Sequence, residues 1–128
     1  MIKHQLSFAK INILHDHIAE VIVDKDIEIS LEMSEEYDDF LTTLFSNNFA
    51  LLVNKINQYD LSFEAKLNMA SHENLTAIAV VTYDDESKKA VKKVAAMREL
   101  DGWNLKIFNG LNLGWQDGLD WVTNELNR

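Results

Sequence analysis

Two five-residue runs, FALLV at 49–53 and AIAVV at 77–81, constrain this chain more than any other feature of it. A strand with one wet face alternates apolar and polar side chains. A strand that is apolar at every position is covered on both faces, which is the condition of a parallel sheet flanked by helices. Each run leads into a segment with helical periodicity, so the pair predicts adjacent parallel strands joined by a crossover helix. No uninterrupted apolar run is longer, and five residues span neither a bilayer nor a signal-peptide core.

The remaining elements follow from periodicity and from turn and cap residues. LSFAKINIL (6–14) alternates, with Phe8, Lys10 and Asn12 on one side and Ala9, Ile11 and Ile13 on the other. HDH (15–17) is a turn, and IAEVIVD (18–24) is rich in branched residues. Together they predict an antiparallel hairpin. Ser30 caps a helix carrying Met33, Tyr37, Phe40, Leu41 and Leu44 at helical spacing. The first apolar run extends as a strand over 49–56. A short helix over 63–71 has Phe63, Leu67 and Ala70 as its stripe. The strand 75–83 precedes a helix over 84–100 with Ala90, Val91, Val94 and Met97 on one face, stopped by Gly102. A strand at 103–109, a GLNLG loop and a helix over 115–126 complete the chain. The last helix has Trp115, Leu119, Val122 and Leu126 on one face, and Trp121, off that stripe, is the expected exposed aromatic. Gly118 marks a close helix contact.

The expected fold is therefore one α/β domain over 1–128. It has a five-stranded, mixed, mostly parallel sheet, an N-terminal antiparallel hairpin and four helices, in the order ββαβαβαβα.

Twelve basic and 21 acidic residues give a net charge of −9, a field that repels nucleic acid and anionic membrane surfaces. Lys88, Lys89, Lys92 and Lys93 lie among acids and read as a solvated helix face. The chain has no cysteine, so it has no disulfide and no thiolate chemistry, as suits a reducing, cytoplasmic setting.

Ligands of open α/β sheets sit beyond the carboxyl ends of the strands, here 54–62, 82–86 and 108–114. None of these corners holds a glycine-rich phosphate loop or a dinucleotide fingerprint. No nucleophile elbow is present. His15 and His17 share a strand face, but two ligands do not close a metal site. No cofactor, no metal and no enzymatic activity is therefore expected. Asp84 and Asp85 open the helix that follows and satisfy its free N–H groups. Asp60 and Ser62 remain. Ser62 reads either as the cap of the next helix or as a phosphoacceptor at a helix N-terminus.

The stretches FALLVNKINQYDLSFEAKLN, LTAIAVVTYDDESKKA and WNLKIF…GLDWV resemble the STAS domain of bacterial anti-sigma-factor antagonists. The wording is closest to a divergent branch of small STAS-like or CRAL-TRIO-like bacterial proteins. In the antagonists an Asp-x-Ser corner is phosphorylated by a partner kinase. The resemblance implies that role for Ser62, with Asp60 matching and Phe63 standing where the family has glycine. It implies a regulatory module that binds a protein partner through Asn57, Tyr59, Asp60, Ser62, Phe63 and Trp121. Trp121 would serve alternatively as a ligand mouth or as a homodimer contact. The likeness to lipid-transfer folds implies a second function, the binding of a small apolar ligand.

Overall fold

The computed structural model describes residues 2–128. Its main sheet has six strands: β1 (Ile2–Gln5), β2 (Ala9–His15), β3 (Ile18–Val23), β5 (Phe49–Asn54), β7 (Leu75–Thr82) and β8 (Leu105–Asn109). They lie side by side in that order. β1, β2 and β3 form an antiparallel meander. From β3 onward every pairing is parallel, and the two apolar runs are neighbours, with Ala50 opposite Ala77 and Val53 opposite Val80. A separate two-stranded parallel pair joins β4 (Glu28–Ile29) to β6 (Asp60–Leu61). The helices are α1 (Leu31–Leu44), α2 (Phe63–Asn68), α3 (Asp85–Met97) and α4 (Gly114–Leu126).

The fold class and the four helices agree with the sequence reading, but the strand count does not. β1 is an additional edge strand, and every one of its residues is exposed or half-buried. A strand with no buried face leaves no alternation to detect. The strands of the pair β4–β6 are only two residues long, too short for any alternation to reveal them. Phe8, placed on the polar side of its strand, is instead buried against Tyr37, with ring centroids 6.4 Å apart. The chain bends before β2 begins at Ala9, so Phe8 escapes the alternation of that strand.

Side chains of β5 and β7 alternate between two cores, as the pleat requires. Leu51, Ile78 and Val80 face a layer formed by α1, α2 and α3. Ala50, Leu52, Ala79 and Val81 face α4 through Val122. Each parallel crossover steps to the next strand in the same direction, so same-handed connections place α1, α2 and α3 on one face. That leaves the other face to α4. α4 lies close there: a Cβ at Gly118 would sit 2.9 Å from Leu52 Cδ1 and 3.4 Å from Ala79 Cβ. Trp115 Nε1 donates to the buried Glu20 carboxylate at 2.7 Å, and Asn12 and Asn54 also donate to it. No helix among the described residues is long and apolar enough to cross a membrane.

Candidate functional site

The layer carrying α1, α2 and α3 is incompletely filled. α3 is held at its two ends. At its start Asp84 Oδ1 accepts the Ser87 N–H at 2.7 Å, while Oδ2 accepts Gln58 Nε2 at 3.1 Å, tying the helix to the loop after β5. At its end the buried Arg98 donates to the Met69 and Lys66 carbonyls and to Ser71 Oγ, with Trp103 stacked on its guanidinium. Between these anchors the helix turns small side chains toward the sheet. Of the four residues expected to form its core stripe, Val91 and Val94 are half-buried, whereas Ala90 and Met97 are exposed. Val91 packs against the core formed with the strands, but the short valine side chains of helix and sheet do not fill the space between them. A cavity of about 470 Å³ remains, floored by Val21, Leu51, Val53, Ile78 and Val80 and roofed by Val91 and Val94. Such a volume falls inside the range of roughly 300–1,000 Å³ typical of small-molecule sites.

Lys55, Tyr59 and Asp60 line the cavity at the carboxyl end of β5, and Lys66, Glu86, Lys89 and Lys93 line it from α2 and α3. Lys55 follows that strand directly, and its N–H extends the ladder to the Val81 carbonyl at 3.0 Å. Lys55 is only 7% exposed. Its Nζ lies 3.5 Å from the centroid of the Tyr59 ring and 3.4 Å from the Tyr59 carbonyl oxygen. Among the described residues it forms no ion pair. Burial pulls its pKa down, and the Asp60 and Asp84 carboxylates work against that shift. Tyr37 and Tyr59 also line the cavity. Burial pushes both phenols far above their ordinary range, and at Tyr37 the Asp38 carboxylate and the Tyr59 phenol add to the effect.

The loop from β5 to α2 is fixed by its own backbone and side chains. Asn57 Nδ2 donates to the Val23 carbonyl at 2.9 Å, and the Asp60 N–H donates to the Ile27 carbonyl at 3.0 Å. Ser62 caps α2: its Oγ accepts the Ala65 N–H at 3.1 Å while its own N–H bonds to the Ile29 carbonyl. Asp60 is exposed on β6.

Of the residues named from sequence, Asn57, Tyr59, Asp60, Ser62 and Phe63 share this corner, and Tyr59 and Asp60 reach the cavity. Trp121 does not join them. It stands on the opposite face of the sheet, half-buried, with its ring 5.9 Å from Phe108. α4 packs so closely through Gly118 that a broader arc of the helix than one stripe touches the sheet. The α2 stripe is also corrected. Phe63 is 64% exposed and Leu67 50% exposed, and the one buried helical residue is Ala65. Helical periodicity ends at Asn68. Ala70 turns inward only because it adopts a left-handed conformation, with φ of 60°.

Sequence reasoning missed Lys55, Tyr37 and the gap beneath α3. Lysine at the carboxyl end of an apolar strand, four residues before a tyrosine, was a usable signal. The gap was not legible, because periodicity reports which face of a helix is apolar and not whether its side chains reach what lies opposite. No family model, curated protein or solved structure matches the chain.

Proposed function

We propose that this chain is a non-enzymatic binding module of STAS-like type that holds a small, largely apolar ligand between α3 and the sheet. The observation that carries the reading is the cavity of about 470 Å³, apolar on floor and roof and lined also by a few charged side chains. At ~30 Å³ per water-sized group it would take a ligand of roughly sixteen non-hydrogen atoms. The order of strands and helices supports the STAS-like affiliation, and the site's position at the carboxyl ends of parallel strands supports a ligand there. The test is titration with the neutral fluorophore N-phenyl-1-naphthylamine. Saturable enhancement with one site per chain is expected, and a folded protein that gives no saturable signal would refute the reading.

A second reading is favoured by the exposure of Phe63 and Leu67, one turn apart on α2. It makes the corner 57–64 a docking point for a protein partner, regulated through Ser62. Intact-mass measurement of the protein from its native cells tests it. A phosphate's added mass, absent from Ser62→Ala, is the expected result, and an unmodified mass under all growth conditions would oppose it.

A further inference from the structure

We infer that the ligand is an amphiphile with an anionic head, of the class of a medium-chain carboxylic acid, and that Lys55 receives its carboxylate. The inference rests on the cavity reading above and adds the chemistry of one end of it.

Three observations support it. First, Lys55 is more than nine-tenths buried, lines the cavity and has no ion-pair partner among the described residues. A buried ammonium is costly unless an anion or several acceptors face it. Its present contacts are a carbonyl at 3.4 Å and the Tyr59 ring face, which leave donor capacity unused. Second, the nearby carboxylates act on Lys55 through space and neither pairs with it directly. Both Asp84 oxygens accept hydrogen bonds, from Ser87 N–H and Gln58 Nε2, and Asp60 is solvated on β6. Third, the charge around the cavity runs against that of the chain. Acids outnumber bases by 21 to 12 overall, yet four of the six charged residues lining the cavity are lysines: Lys55, Lys66, Lys89 and Lys93. A basic rim on an acidic protein draws anions to that opening and not to the rest of the surface.

The phenols complete the head-group end. Tyr59 lies under the Lys55 ammonium, and Tyr37 is near enough to Tyr59 for the two phenols to interact electrostatically. Both hold their protons at neutral pH and can donate them to a carboxylate oxygen. Met69, Trp103 and Leu105, also in the lining, offer apolar surface to a hydrocarbon tail.

The experiment is displacement of bound N-phenyl-1-naphthylamine by dodecanoate and, separately, by dodecanol, which differ only at the head. On the wild-type chain dodecanoate is expected to compete at least tenfold more strongly than dodecanol. Lys55→Met, and Lys55→Gln as a second variant, are expected to bring dodecanoate to the level of dodecanol, with probe binding retained. Equal competition by acid and alcohol on the wild-type chain, a comparison that needs no variant, would overturn the head-group inference and leave the cavity standing. So would an undiminished preference in both folded variants. Failure of the probe itself to bind would instead overturn the cavity reading, and this inference with it.

Discussion

Filling the space beneath α3 should strengthen the empty fold and abolish ligand binding, a pair of effects that only a real gap produces. The perturbation is the double variant Val91→Phe/Val94→Phe, both on the roof of the cavity. It adds eight carbons. At ~30 Å³ per water-sized group they occupy roughly 240 Å³. About half of the 470 Å³ then remains, below the ~300 Å³ floor of ordinary small-molecule sites. Full burial of eight carbons at ~0.8 kcal/mol each sets an upper limit of about 6 kcal/mol. The two positions are half-buried, which halves that figure, and fixing two rings removes about another 1 kcal/mol. The expected gain is therefore about 2 kcal/mol, or roughly 6–10 °C in Tm for a chain of this size. Thermal unfolding by circular dichroism and titration with N-phenyl-1-naphthylamine read the two effects. A fall in Tm would mean that the rings have no room and that α3 lies on the sheet, which would refute the reasoning.

Three further predictions concern other parts of the molecule. Gly118→Ala gains about 1 kcal/mol of helix propensity. It also places a methyl 2.9 Å from the fully buried Leu52, an overpacking cost of about 1–3 kcal/mol, so urea denaturation should show net destabilisation with probe affinity unchanged. A more stable variant would mean that α4 does not sit this close. Ser62→Ala should cost about 1 kcal/mol by removing the cap on Ala65 N–H, and an unchanged urea midpoint would deny the hydroxyl that role. Asp38 has its pKa raised above the ordinary 3.8, mainly by burial, although the Ala70 N–H and His72 oppose the shift. The folded chain thus binds this proton more tightly than the unfolded one, and the contribution of Asp38 to stability declines as pH rises from about 3.8 through the folded value. Asp38→Asn keeps an acceptor for Ala70 and removes the decline. Its stability relative to wild type should therefore increase from pH 3.5 to pH 7, and parallel curves would contradict the assignment.

The parts of the fold that were legible in the sequence are those governed by burial of whole elements. FALLV and AIAVV are covered on both faces, and that single property located the parallel centre of the sheet. Ser30, Ser62 and Asp84 announced three helix starts, and each accepts the N–H of the residue three positions on. What could not be read depends on reach and on long-range pairing. Ile2–Gln5 forms a strand only because β2 offers it an edge. Phe63 and Leu67 have the spacing of a core stripe but point outward, because α2 lasts six residues and hangs by Ala65. Lys55 reads as an ordinary charge until it is seen buried against the Tyr59 ring and not in water.

Neighbouring strands of the large sheet are also successive along the chain, once the small β4–β6 pair is set aside. A polypeptide leaving the ribosome can therefore complete each pairing before the next strand has been made. α4 is the exception. It is the final element, it lies across β5, β7 and β8, and its Trp115 closes back on Glu20, 95 positions earlier. Until it docks, the oily side formed by Ala50, Leu52, Ala79 and Val81 is uncovered. The interval between emergence of β8 and arrival of α4 is thus when a half-made chain is most exposed to chaperones and to self-association.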